Sequence, residues 1–298
     1  MEEQHCDIVS SRGILKSCSI RSLDPSSSND SDIRHLENMA QHNNMSIYVC
    51  SHSLRAFVNR YLSTITHDFY LVSGDSDLSV PDEVLNDTQF KRLITHPRLK
   101  CWYAQNAAIR EFPKLRPLPI GLDYHTIYSD PGHWWKIHYE KSLPVEQEEL
   151  LQAIQQTGAP ATERTKQIFC NIHHALDRYG QRKAALDSIP NNLLDKPEQH
   201  LSRSQTWERM TKCAFVLSPY GNGYDCHRTW EALCMGAIPI IKSKNLHPLY
   251  EDLPVLNVDD WSDVTEELLE KTIENFSKRA FNYQKLKLRY WVDKFSPK

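Results

Sequence analysis

The stretch FVLSPYGNGYDCHRTWEALCMGAIPII, residues 215–241, joins an apolar run, a loop with two glycines, a helix-like segment and a second apolar run. The first run predicts a buried strand, and HRTWEALCMG predicts a helix that ends at Gly236. Gly221 and Gly223 have no Cβ, so the backbone there can approach a ligand closely. The stretch therefore predicts a strand–loop–helix–strand unit of a parallel α/β sheet.

The helix within this block would begin beside groups that suit a diphosphate. Asp225 or Cys226 would open it, and its first turn would offer unpaired amides and the positive end of the helix dipole. Arg228 carries a planar fork that matches phosphate oxygens. Glu231 would lie on the same helix face and could accept hydrogen bonds from ribose or sugar hydroxyls. An Arg228–Glu231 ion pair on a solvated face is the alternative interpretation.

Strands and helices alternate on both sides of the block. MSIYVCSH, FYLVSG, KCWYAQN and LRPLPIG predict strands before it, and KQIFCNI predicts a strand of the second half. GILKSCSIRS, residues 13–22, can be interpreted as a short strand, and residues 264–292 as one long helix. The pattern predicts two αβ halves that meet between residues 130 and 160, with ligands in the cleft between them.

The bulk properties exclude several classes of protein. The chain has 298 residues and a net charge of -3, which does not call for nucleic acid or an anionic membrane as partner. It has no run of eighteen apolar residues and its acidic N-terminus lacks the features of a signal peptide, so a cytoplasmic location is expected. The eight cysteines form no CxxC pair, which favours buried free thiols over a zinc site.

Two aspartates follow the apolar run in FYLVSGDSD, residues 69–77. They could hold a divalent metal that binds a diphosphate, supply a catalytic base, or cap a helix. The downstream block already offers positive charge for a diphosphate, which favours a base. Asp75 is preferred over Asp77 because it directly follows Gly74 at the end of the strand, and Asp123 in GLDYH is the reserve candidate.

Other polar residues follow predicted strands. One set could contact the phosphates of the donor, or could simply form a polar strand end and a basic helix surface. This set is Asn171, His173, Arg178 and Arg182. A second set, in the first half, could line an acceptor pocket. This set is Ser73, Gly74, Tyr124 and His125. His173 and His174 lack a third ligand at suitable spacing, so no metal site is predicted. Trp134 and Trp135 could stack on a sugar or pack in the core.

The block at residues 215–242 resembles the C-terminal half of exostosin-like glycosyltransferases, family 47 and its relatives. The shared pattern is a strand, a proline, a glycine loop, an arginine, Glu-Ala, and Gly-x-Ile-Pro. LRPLPIGLDYH, residues 115–125, is similar to the small xylosyltransferase-type enzymes of large algal DNA viruses. The block is about 28 residues long, and the two-half pattern extends the resemblance loosely over most of the chain.

The resemblance implies an α/β fold of the GT-B type, in which two Rossmann-like domains face each other across a cleft. Residues 1–143, with 280–298 packing on them, would form the acceptor domain, and residues 144–279 the nucleotide-sugar domain. The last helix would cross back to the first domain. Residues of the block expected near the donor are Ser218, Tyr220, Gly221, Asn222, Gly223, Tyr224, Asp225, His227, Arg228 and Glu231.

The resemblance also implies the reaction. An inverting transferase would move a sugar, with xylose as the best candidate, from a UDP-sugar to a hydroxyl of a glycan, with no obligatory metal or other cofactor. Retaining GT-B enzymes often carry a second acidic residue seven positions further along this helix, where this chain is apolar. The alternatives are a metal-dependent transferase that uses Asp75 and Asp77, and a sugar- or nucleotide-binding protein without catalysis.

Overall fold

The computed structural model describes residues 2–22, 30–37, 39–107, 112–130, 132–136, 142–172, 177–243 and 246–296. Two separate sheets, both wholly parallel, lie within this part of the chain. Helices lie between most of the successive strands, because parallel neighbours require a crossover connection. The expected α/β fold with two Rossmann-like halves is confirmed.

The first sheet has four strands in the order β1-β2-β3-β4. Its strands are β1 (Met45–Cys50), β2 (Phe69–Gly74), β3 (Leu99–Ala104) and β4 (Leu115–Pro117). The helices of this half are α1 (Ser11–Lys16), α2 (Leu54–Arg60), α3 (Asp87–Ile94) and α4 (His125–Ser129). Every residue of β1 is buried, as expected for a parallel sheet that is covered on both faces.

The second sheet has five strands in the order β6-β5-β7-β8-β9. They are β5 (Thr165–Phe169), β6 (Leu194–Asp195), β7 (Cys213–Leu217), β8 (Ile238–Ile241) and β9 (Leu256–Asn257). Its helices are α5 (Pro144–Gln156), α6 (Gln181–Ser188), α7 (Arg203–Met210), α8 (His227–Cys234) and α9 (His247–Tyr250). The strand order reverses between β5 and β7, and ligands of such sheets bind outside the carboxyl ends of the strands at that point.

The C-terminal segment forms two helices instead of the single one expected. They are α10 (Glu266–Ser277) and α11 (Leu288–Phe295). The chain between them is held by Asn282, whose backbone N–H donates to the Asp252 carbonyl at 2.7 Å. Helix α11 then packs on the first half, where the Tyr103 hydroxyl donates to the Lys294 carbonyl and Phe295 is fully buried. The predicted return of the last helix is confirmed.

The N-terminal segment differs from the expected strand. Residues 11–16 are helical because the Ser10 hydroxyl caps the helix, accepting from the Gly13 amide at 3.0 Å. Only Ile20 pairs with the sheet, as an isolated bridge to Ile47. The segment also contacts the second half, since Glu148 of α5 accepts the Ile8 amide at 2.8 Å.

One apolar cluster extends from the first sheet to the second. It includes Tyr48 and Val72 of the first sheet and Phe169 and Val216 of the second. The two halves therefore share part of their core, which fixes the cleft between them. All eight cysteines are free thiols. No helix in the described ranges has the length and apolar character that a membrane crossing needs.

Candidate active site

Two adjoining cavities open between the halves. The arginine cavity, of about 240 Å³, is lined by Arg182, Arg203 and Arg228. The aspartate cavity, of about 510 Å³, is lined by Asp75 and Asp77. The side chains and backbone that line both cavities belong to Asp77, Ile120, Asn222 and His227.

The glycine loop is held in place before α8 begins. The Ser218 hydroxyl lies 2.8 Å from the Thr229 hydroxyl. The buried Asp225 carboxylate accepts from the Trp230 indole at 2.9 Å and from the Tyr250 hydroxyl at 2.6 Å. Burial raises the pKa of Asp225, and its hydrogen bonds from Tyr250, Ile120 and Trp230 oppose that rise. The loop is thus pinned by buried hydrogen bonds that stabilise one conformation.

Asp225 also joins the two halves. Its Oδ2 accepts from the Ile120 amide at 2.7 Å, and its own amide donates to the Asn106 side chain at 2.9 Å. Asn106 in turn donates to the Ser76 carbonyl at 2.9 Å. A Cβ on Gly223 would lie 2.9 Å from the Asn106 side chain. Gly223 therefore permits a close approach between loops, and the Asp225 carboxylate is occupied by protein donors rather than exposed to a donor sugar.

Arg228 spans the switch point of the second sheet. It donates to the Asn171 carbonyl at 2.7 Å, which follows β5, while its own helix follows β7. Arg182 is buried beside it. Burial lowers the pKa of Arg182, and the charge of Arg228 lowers it further. Two guanidinium groups that repel each other in one cavity favour an anion between them.

Glu231 faces the same cavity. Its Oε1 accepts from the Trp207 indole at 3.1 Å, which orients the carboxylate. Both Glu231 and Arg228 are described, and no ion pair joins them. The alternative of a solvated Arg–Glu pair is therefore not what the structure contains.

Asp123 lies at the wall of the arginine cavity, almost fully buried. It accepts from the Thr126 amide at 3.0 Å and from the Thr126 hydroxyl at 2.7 Å. Burial alone would raise the pKa of Asp123, but the charges of His227, His125 and Arg203 hold it well below its usual range. A carboxylate stabilised this strongly in its ionised form is a weak proton acceptor.

Asp75 begins the loop after β2 in a left-handed conformation, with φ of 54°. Its amide donates to the Gln105 side chain at 2.9 Å, and its Oδ2 lies 3.5 Å from an Arg12 guanidinium nitrogen. Its side chain is 8% exposed. Asp75 lines the aspartate cavity but not the arginine cavity.

Asp77 occupies a different position from Asp75. It is exposed and lines both cavities. Its charge acts across the cleft on Arg182, whose pKa it raises against the larger effects of burial and Arg228. Of the carboxylates predicted to be catalytic, Asp77 is the one at the junction of the two cavities.

Two histidines border the aspartate cavity. His227 Nδ1 lies 2.7 Å from the Gly121 carbonyl, an acceptor, so Nδ1 donates the hydrogen bond. His125 lies 3.1 Å from Asp123 Oδ1. Burial lowers the pKa of His125, which Asp123 and Asp75 oppose. His125 lines the aspartate cavity, and its contact with an acceptor stays a prediction.

Several predicted residues do not line either cavity. The buried Ser73 hydroxyl accepts from the Trp102 indole at 2.9 Å, and Gly74 packs against Gln105. Tyr220 and Tyr224 form an aromatic cluster with Tyr179. The predicted residues outside both cavity linings are Ser73, Gly74, Tyr124, Ser218, Tyr220 and Tyr224.

Arg178 does not reach the arginine cavity. It forms an ion pair with Glu83 of the first half and lines the aspartate cavity. A donor-phosphate contact by Arg178 is therefore not supported by its position. His173 and His174 lie outside the described residues.

Among the residues in or beside the cavities that the sequence reasoning missed are Arg12, Gln105, Asn106 and Arg203. Gln105 and Asn106 directly follow β3, and a polar pair at a strand end was an available signal. Arg203 donates to Gln147 at 2.9 Å and stacks over Trp135 at 5.0 Å, which fixes Trp135 at the cavity wall. Arg12 had no sequence signal. Within the described ranges, no cluster of three or more His, Cys, Asp or Glu could hold a metal ion.

The comparisons with known proteins are sparse. No family model matches the sequence, and the search of curated proteins found no match. An α1,3-fucosyltransferase solved with GDP-fucose is similar at 13% identity, over 95% of this chain and 94% of that one, with a TM-score of 0.38. A second α1,3-fucosyltransferase structure gives 13% identity, 96% and 95% coverage, and a TM-score of 0.36. The fold assignment therefore rests on the two sheets themselves.

Proposed function

We propose that this protein is a glycosyltransferase of the GT-B type, which moves a sugar from a nucleotide sugar to a hydroxyl group of a glycan. The observation that carries the proposal is the pair Arg182 and Arg228, which face one cavity at the switch point of the second sheet. A diphosphate would relieve their repulsion and accept hydrogen bonds from both. The free amides at the start of α8 would add to its binding.

The finer identity of the substrates rests on the resemblance of residues 215–242 to exostosin-like enzymes. On that basis the donor is a UDP-sugar, with xylose as the best candidate, and the anomeric carbon is inverted. Glu231, held by Trp207, would accept hydroxyl groups of the ribose or sugar. Asn222 and His227 would lie beside the transferred sugar, because they line both cavities.

In this proposal the aspartate cavity receives the acceptor, and the displacement occurs where the cavities meet. One carboxylate removes the proton of the acceptor hydroxyl as its oxygen attacks the anomeric carbon, and the bond to the diphosphate breaks. Arg182 and Arg228 stabilise the charge of the departing diphosphate. Asp77 is the better placed base, since Asp75 lies against Arg12 and away from the arginine cavity.

The test is calorimetry of UDP binding, with GDP in parallel, first in EDTA and then with manganese. We expect binding in EDTA that Arg228→Ala weakens by roughly tenfold to a hundredfold, the loss of charged hydrogen bonds. Arg209→Ala is the control, because Arg209 is a partly exposed arginine of α7 that pairs with Asp195 outside both cavities.

Other results would select an alternative. Binding that requires manganese and survives Arg228→Ala would place the diphosphate at Asp75 and Asp77, as in a metal-dependent transferase. Nucleotide or sugar binding without transfer to any acceptor would indicate a binding protein without catalysis.

A further inference from the structure

A third cavity adjoins the aspartate cavity and shares no lining residue with the arginine cavity. This outer groove, of about 460 Å³, shares His52 and Leu78 with the aspartate cavity, so the two form one path. Buried Ala56 and Val84 contribute apolar surface to its lining. A chain molecule whose end lies at Asp77 would therefore leave the cleft through the outer groove.

The outer groove is positively charged. Arg55 and Arg60 of α2 line it, and neither forms an ion pair among the described residues. Its one acidic lining residue, within the same part of the chain, is Glu83. Glu83 accepts from the Ser79 amide at 2.7 Å and forms its ion pair with Arg178, so its charge is already balanced.

The charge therefore changes sign along the path. Near the junction with the arginine cavity, Asp75 lies beside Arg12, whereas the exposed Asp77 forms no ion pair within the described ranges. Further out, Arg55 and Arg60 are the lining charges that have no ion pair in the described part of the chain. A neutral hydroxyl-bearing end fits the inner part, and anionic groups fit the outer part.

We propose that the acceptor is an acidic oligosaccharide whose units beyond the accepting end carry carboxylate or sulfate groups that contact Arg55 and Arg60. This inference rests on the proposed function, because it assigns the aspartate cavity to the acceptor. It adds the substrate class and an outer binding site on α2. Since the arginines are solvent-exposed, their contribution is screened by salt.

The experiment uses the full chain with UDP bound, and compares an oligogalacturonide with an uncharged galactose oligomer of equal length by calorimetry. We expect the acidic oligomer to bind about tenfold more tightly at low salt, from two exposed charge contacts. The variant R55Q/R60Q should abolish this preference without changing UDP affinity. R98Q/R116Q removes the same charge from exposed positions outside the groove and should preserve it.

The outcomes separate the two proposals. A wild-type protein that does not bind UDP would overturn the proposed function itself. The outer site alone would be overturned if UDP binds normally and one of three results is found. These are equal affinity for both oligomers, no binding of the acidic oligomer, or a preference for it that survives R55Q/R60Q.

Discussion

The arginine cavity and the aspartate cavity lie side by side but are built in different ways. Much of the arginine cavity comes from one continuous block, in which a strand, a loop and the helix carrying Arg228 follow one another. The aspartate cavity is assembled from Ser11, the ends of β2 and β3, and the segment that contains His125. A site built from one block leaves a pattern in the sequence, whereas a site assembled from distant segments does not.

The largest expected effect tests which aspartate belongs to the reaction. Asp77→Asn should lower kcat by about 10²–10⁴ through loss of the base, without reducing UDP affinity. Asp75→Asn should have a smaller effect on kcat, because Asp75 lies against Arg12. Steady-state kinetics of both variants decide the ranking. A larger loss for Asp75→Asn would restore the ranking made from the sequence.

The next effect concerns the N-terminal segment behind the aspartate cavity. Burial, opposed by Lys16 and Arg12, raises the pKa of Glu3 to about 7 from 4.5. Folded Glu3 thus keeps a proton that the unfolded chain releases, so its contribution to stability is present below pH 4.5 and lost as pH rises through 7. The loss is on the order of 3 kcal/mol.

Denaturant unfolding across this pH range measures the loss. Glu3→Gln should flatten the decline between pH 4.5 and 7, whereas Glu2→Gln, at an exposed neighbouring position, should not. If the unfolding free energy of Glu3→Gln still declines with pH as steeply as that of the wild type, burial of Glu3 is not the cause of the decline.

The third prediction tests the link between the cavities. Asp225→Asn should destabilise the fold by about 2 kcal/mol, because an amide N–H₂ would face the donors of Ile120, Trp230 and Tyr250. Asp252→Asn is the matched control, since Asp252 is exposed and asparagine tolerates its positive φ of 63°. Equal unfolding free energies for both variants would show that the hydrogen bonds of Asp225 between the halves do not stabilise the fold.

The smallest effect sharpens the role of the second arginine. Arg182→Gln should weaken UDP binding about tenfold, through loss of one charged contact to the diphosphate. Lys183→Gln, an exposed neighbour paired with Asp187, should leave UDP affinity unchanged. Calorimetry at constant salt measures both. An unchanged affinity in Arg182→Gln would remove Arg182 from the donor site.

The sequence predicted most strands and the two-half organisation. Arg228 and Glu231, which it assigns to the donor, line the arginine cavity, and their role in donor binding stays a prediction. Its errors have physical causes. Residues 13–22 are interpreted as a strand because their apolar character does not reveal the Ser10 cap. The donor contact of Arg178 stays a prediction, which its ion pair with Glu83 of the first half does not favour. The long final helix was expected because the pattern does not reveal the tertiary contact between Asn282 and Asp252.

By itself, the sequence determined the features that depend on neighbours along the chain: the apolar period of the strands, the glycine loop and the first turn of α8. The tertiary structure alone decided that Arg12 lies beside Asp75, that Asp77 lies where the two cavities meet, and that Asp225 accepts from Ile120. The physical reason is that burial and charge pairing depend on distance in space. Parallel sheets bring the ends of distant strands to one edge, where residues far apart in the chain determine one another's chemistry.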